Sequence, residues 1–274
     1  MFFNPRIDRK KHKRILEIGP GGLPHPASDA WLDYDFDEAE RVRQSGGAQP
    51  ARGKSCVFYR GKIFPFRDGA FDYVIASHVL EHVPWEVLPA FLSEMQRVAP
   101  AGYIELPRWT YELFFDIDEH ISCGDVAQEK LTLYKKTERS PGAARRRAVL
   151  EGWLPLQEFL ADRREFFFCR LEWREQIDFE MRDDEYPAIE TEAEIAERLR
   201  TRPLALVKSA PRRSISGSVL NRIKRILSPR PGVSLEELRP LLQCPETGGP
   251  LDSEYRNEEG KVVFSVIGQD LKVV

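Results

Sequence analysis

Cysteine is scarce and scattered. Four occur in 274 residues, at Cys56, Cys123, Cys169 and Cys244, and no two form a CxxC pair. That spacing argues against a disulfide framework or a zinc cage and for reduced thiols in a cytoplasmic protein. Long apolar runs are missing too. No segment approaches the roughly 18 residues needed to span a bilayer, and the basic start, MFFNPRIDRKKHKR, has no signal-peptide core. The expectation is no membrane insertion. Net charge is small, −3, although 31% of residues are charged, so global electrostatics select no partner. Internal repeats and low-complexity tracts are absent. One local absence is informative: residues 203–234 hold seven basic side chains and no acid.

What is present is an alternation of short apolar runs with punctuation. Residues 14–18, 30–33, 57–59, 73–76 and 103–106 read as buried strands, each bounded by Gly, Pro or charged residues. Residues 84–98 carry apolar side chains close to helical spacing and read as a helix that Pro100-Ala101-Gly102 stops. Strands alternating with helices imply a parallel α/β sheet. Residues 143–162 read as a helix. Residues 166–173 and 176–182 read as two strands, the second with clear alternation.

Two motifs bear on function. LEIGPGG at 16–22 places an acid, Glu17, and a glycine turn at the end of the first strand. FDYVIASHVLEHV at 71–83 ends the fourth strand in Ser77 and His78 and runs into a helix. Ligands of parallel sheets bind at such carboxyl ends. In this order the motifs resemble the class I S-adenosylmethionine-dependent methyltransferases of the FDxVxxxHVLEHV subgroup. The resemblance covers about residues 14–106 and extends weakly to 182. It implies a Rossmann-like doubly wound methyltransferase sheet with an antiparallel final hairpin. It also implies S-adenosyl-L-methionine as cofactor and a transferase that methylates a small molecule or glycan, on oxygen. RNA or protein is the alternative acceptor, and a non-catalytic binding protein that kept the fold is the third.

The resemblance assigns Glu17, usually acting through water, to the cofactor's ammonium group. It brings Ser77 and His78 to the methionine end. Gly19 and Gly21 let the backbone approach without a Cβ. Asp33 or Asp35 closes the second strand and suits the ribose hydroxyls; Asp33 is favoured because Trp31-Leu32 precedes it as strand. Ten residues, including Pro24 and Pro26, separate Gly22 from Asp33, too few for a full crossover helix. No acid lies at 59–62 to accept from adenine, which leaves backbone groups or stacking for that ring. Glu105 in YIELP, His120 in ELFFDIDEHI and His78 are the candidates for acid–base work toward an acceptor hydroxyl. His78-Val79-Leu80-Glu81-His82 also spells an inverted zinc-protease string. The strand before it accounts for it better, so no metal is expected.

The domain expectation is a methyltransferase domain at 1–205, a basic linker with an amphipathic helix at 206–233, and a small α+β module at 234–274. The linker is read as a solvated surface helix, with RNA contact through 203–234 as the sharper alternative. LQCPETGGPL at 242–251, followed by a strand pair, resembles the small zinc-ribbon-like proteins that activate tRNA and protein methyltransferases. Cys244 alone remains of possible zinc ligands.

Overall fold

The computed structural model describes residue 3 and residues 5–22, 24–45, 53–136, 159–160, 162–183 and 232–274. Most of the predicted helix at 143–162 and nearly all of the basic linker lie outside them. By compactness the chain divides into a unit of residues 1–183 with 230–274 and a second unit of residues 184–229. The description below concerns the first.

Its centre is a sheet of eight strands. The first five in chain order are parallel to one another: β1 (Ile15–Ile18), β2 (Ala30–Tyr34), β3 (Cys56–Tyr59), β4 (Tyr73–Ser77) and β5 (Ala101–Pro107). They run in the order β3-β2-β1-β4-β5. Every residue of β1 and β5 is buried, as a strand covered on both faces requires. Alternate side chains go to opposite faces. Leu16, Ile18, Val74, Ala76 and Ile104 enter one core, while Ile15, Tyr73, Ile75 and Tyr103 enter the other. α2 (Leu88–Val98) buries Leu88, Phe91, Leu92, Met95 and Val98 against the first core. It begins later than the predicted helix, because Trp85–Val87 forms a 3-10 turn first.

Among the described residues no helix separates β1 from β2, as the spacing predicts. Side chains hold this short crossover instead. The Asp29 carboxylate accepts from the Ile15 amide at 2.8 Å and from Arg9. Both Glu17 oxygens accept from the His25 amide, at 2.9 and 2.8 Å.

The two strands expected as a final antiparallel hairpin lie in different sheets. β8 (Phe168–Arg174) pairs antiparallel with β5 and forms the edge, whereas β9 (Phe179–Arg182) joins a separate sheet, parallel to β7 (Lys130–Lys135). β6 (Ser122–Ala127) completes that sheet, antiparallel to β7. Residues 234–274, expected as a small module, belong to the same compact unit as the main sheet. Their strands β10 (Phe264–Ile267) and β11 (Asp270–Val273) extend it, with β11 parallel to β3. The Asp270 carboxylate accepts from the Cys56 amide at 2.9 Å, which ties the first residue of β11 to the first residue of β3. A capping box between Ser234 and Glu237 starts the short helix Leu235–Leu238 that leads into this tail.

Candidate active site

In an open parallel sheet the order reverses at one point, and ligands collect outside the carboxyl ends there. Here the point lies between β1 and β4. A cavity of about 380 Å³ opens at that place, lined by Gly19, Gly21, Asp33, Tyr59, His78 and Val79 among others. Gly19 has φ +58°, and a Cβ there would meet Val79 Cγ2 at 2.8 Å. Glycine at 19 therefore keeps the turn close to β4 in a conformation that L side chains rarely adopt. This cradle, an acid at the end of β2 and a cavity large enough for a nucleoside fit S-adenosylmethionine.

Asp33 stands on the cavity wall with Arg41 at 3.6 Å. Burial raises its carboxyl, while Arg41 and the Tyr34 amide act against that. Asp35 is committed elsewhere, accepting from Arg60 at 3.1 Å and facing Lys272 at 3.0 Å. Tyr34, Phe36, Tyr59 and Phe91 supply aromatic wall, and Tyr34 and Phe36 stand 4.9 Å apart. Stacking is thus available to a purine where an acid is missing. Gln44 on α1 (Glu38–Ser45) also reaches the cavity, and its buried Oε1 has no hydrogen-bond partner among the described residues. Sequence reading gave no signal for Gln44.

Glu17 does not line this cavity. It is 4% exposed and spends both oxygens on the His25 amide. Burial lifts its carboxyl to about 7, against the His25 amide, the Ser28 hydroxyl and the charge of Lys54. The shortened crossover places the His25 amide over the carboxylate.

Ser77, His78 and Glu105 come together at the ends of β4 and β5, where Ser77 is in register with Glu105. Glu105 is fully buried and accepts from Ser77 Oγ, His78 Nε2, Tyr103 Oη and the Phe3 amide. His78, at φ +58°, bridges Glu105 at 3.1 Å and Glu81 at 3.0 Å through its two ring nitrogens. Burial opposes its charge, yet the bonds to Glu105 and Glu81 prevail and lift it to about 9. His78 therefore holds its proton at neutral pH, and Glu105 is saturated with donors.

A second cavity of about 220 Å³ adjoins the first, and Gln44, His78 and His82 line both. His120 lines it, together with Glu81, Tyr111 and Phe168. His120 Nδ1 donates to Glu112 Oε1 at 2.6 Å. Glu112 lies on α3 (Trp109–Phe115), is 3% exposed, and its other oxygen accepts from Lys136 Nζ at 2.9 Å. His82 Nδ1 donates to the Glu119 carbonyl at 3.2 Å, and burial pushes this imidazole down, so it is neutral. Of the three residues singled out for catalysis, His78 and His120 line this second cavity and Glu105 does not. Glu112 and Lys136, which orient His120, carried no sequence signal.

A family model described as a methyltransferase domain matches residues 27–105. No curated protein matches the chain. Among solved structures the chain is similar to the methyltransferase domain of a bacterial protein, CtHen1-C. The identity is 14%, over 38% of this chain and 62% of that one, with a TM-score of 0.27. It is similar to an S-adenosylmethionine-dependent methyltransferase of Methanosarcina mazei at 21%, over 46% and 70%, with a TM-score of 0.27. A third, from Mesorhizobium loti, has 14% identity over 59% and 90%, with a TM-score of 0.31. The chain spans 62% of the length of the first, under two thirds. Scores this low add nothing to the sheet order and the domain match. The match runs from β2 into β5 and includes much of the wall of the larger cavity, so residues 27–105 are similar to a methyltransferase domain, and the strand order there is Rossmann-like.

Proposed function

We propose that this protein transfers the methyl group of S-adenosylmethionine to a hydroxyl of a small molecule or glycan. The observation that carries this is the pair of adjoining cavities, which share Gln44, His78 and His82. When bound, the cofactor supplies an electrophilic methyl on a sulfonium. The chain's own work is positioning and exclusion of water. Gly19 and Gly21 admit the cofactor's amino acid end, Asp33 accepts from its ribose, and the aromatic wall takes its adenine. The second cavity, about 220 Å³ and edged by three histidines and the buried Glu81, suits a compact, hydroxylated acceptor. The same volume argues against a bulky one.

Calorimetry with S-adenosylmethionine, followed by transfer of its labelled methyl to hydroxylated small molecules, glycans and RNA, tests this. Binding and transfer to a small hydroxyl compound are expected. No heat at millimolar cofactor sinks the enzyme assignment. Transfer to RNA or protein alone favours the second reading, in which residues 234–274 act as a built-in activator. One observation speaks for that reading: β11 covers the β3 edge of the catalytic sheet, where a separate protein would otherwise dock.

A further inference from the structure

The second cavity contains three side chains whose lone pairs face one another. Glu81 is fully buried. Its Oε1 accepts from His78, but its Oε2 has no hydrogen-bond partner among the described residues. A buried carboxylate oxygen left bare in this way is costly and asks for a partner. His82 and His120 stand beside it, their rings 4.8 Å apart and nearly perpendicular. One ligand atom from each of Glu81, His82 and His120 lies within 4.8 Å of the others.

The proton positions follow from the neighbours. The Glu119 carbonyl and the Glu112 carboxylate only accept, so His82 and His120 each carry their proton on Nδ1. In the neutral ring Nε2 is then the lone-pair atom. Three acceptors thus converge on one small volume with no donor between them. A cation resolves that repulsion, and an imidazole whose far nitrogen donates to a carboxylate or carbonyl is the arrangement that orients metal-binding histidines. Glu112 is itself held, by Lys136 and by the Ile117 amide at 3.1 Å.

We propose that Glu81, His82 and His120 bind one divalent first-row transition-metal ion through Oε2 and the two Nε2 atoms. Two imidazoles and one carboxylate suit zinc or iron better than magnesium or calcium, which prefer all-oxygen shells. Bonds of about 2.0–2.2 Å at tetrahedral angles hold ligand atoms about 3.3–3.6 Å apart, so a pair as wide as 4.8 Å closes by about an ångström on loading. Three protein ligands leave coordination positions open. These face the space next to the donor cavity, where an ion would act as Lewis acid toward an acceptor oxygen. That last role rests on the methyl-transfer proposal; the ion site does not. His78 and Glu105 stay outside it, as the hydrogen-bonded wall that fixes Glu81.

The test uses the full-length chain, stripped with chelator and titrated with Co²⁺ in the absence of S-adenosylmethionine. Visible d–d absorption, calorimetric stoichiometry and the thermal midpoint are followed. One equivalent per chain, displaced by Zn²⁺ and raising the midpoint, is expected. His82→Ala and His120→Gln abolish saturable binding; the glutamine keeps a donor for Glu112 and guards against simple misfolding. Glu112→Gln, which touches no ion, weakens binding about tenfold. His12→Ala, beside Asp72 at the other end of β4, leaves it unchanged. Absence of saturable Co²⁺ binding, or binding that survives in a folded His82→Ala/His120→Gln double variant, overturns the proposal. Cofactor affinity is measured separately on the unsubstituted chain, so failure here is distinguishable from failure of the methyl-transfer assignment.

Discussion

The two cavities are built from different materials. The donor side is made of strand ends and backbone: two glycines at positive φ, one carboxylate at the end of β2, and an aromatic wall. The acceptor side is made of buried charges that satisfy one another. Glu112 binds His120, Lys136 and the Ile117 amide, Lys136 also reaches Asp116 at 2.6 Å, and His78 joins Glu81 to Glu105. A backbone cradle accepts one ligand shape and tolerates variation around it. A buried ionic network is all or nothing, because each member is compensated only by the others.

The sharpest way to separate the two sides is to remove one charge from the network. Lys136 is 6% exposed and lies against two carboxylates that are nearly buried. Lys136→Met strands both. Loss of a buried partner costs about 3–5 kcal/mol. Thermal unfolding and hydrogen exchange over residues 109–136 are expected to show that loss, while affinity for S-adenosylmethionine, measured in the cold where the variant remains folded, holds. A parallel fall in cofactor affinity breaks the distinction between the sides.

Beneath the glycine turn, outside both cavities, lies a buried acid with the opposite sign of pH dependence from a salt-bridged one. Glu17 rises from its ordinary 4.5 to about 7, because burial outweighs the His25 amide, the Ser28 hydroxyl and Lys54. Its native form therefore keeps a proton that the unfolded chain gives up. Stability from this group is fully present below about pH 4.5 and is lost as pH rises toward 7. A shift of that size is worth on the order of 3 kcal/mol. Denaturant titrations of wild type and Glu17→Gln across this range are expected to diverge, with the variant flatter. Equal slopes would show that Glu17 is ionised in the folded protein.

The same contrast explains what the sequence discloses. Buried parallel strands announce themselves as short apolar runs between Gly and Pro, so β1 to β5, the glycine turn and Asp33 were legible. The displacement of Glu17 was not, since it depends on where a crossover of eleven residues folds back. The domain match begins at residue 27, after this turn. Contacts made over long sequence distances were hidden as well. β11 finds β3, and β9 leaves β8 for β7. Residues 130–135 do alternate, with Leu131 and Leu133 buried, but nothing local names their partner strand. The string at 78–82 was visible as a motif; that His120 closes on it was not, because α3 and the turn after it lie between.

The smallest effect is the one that tests whether the backbone cradle needs its carboxylate. Asp33 is one of two acids that end β2, and the structure distinguishes them by occupation. Asp35 already faces Arg60 and Lys272. Asp33 keeps an oxygen toward the cavity, with Arg41 at the longer distance of 3.6 Å. A hydrogen bond to a charged group is worth about 1.5–3 kcal/mol, so Asp33→Ala should weaken S-adenosylmethionine about tenfold to a hundredfold with little change in melting temperature. Asp35→Ala should leave affinity alone and loosen the join where Lys272 of β11 meets it. The reverse order of the two variants would move the ribose to Asp35, and equal affinities in both would mean that the glycines and the aromatic wall hold the cofactor without either acid.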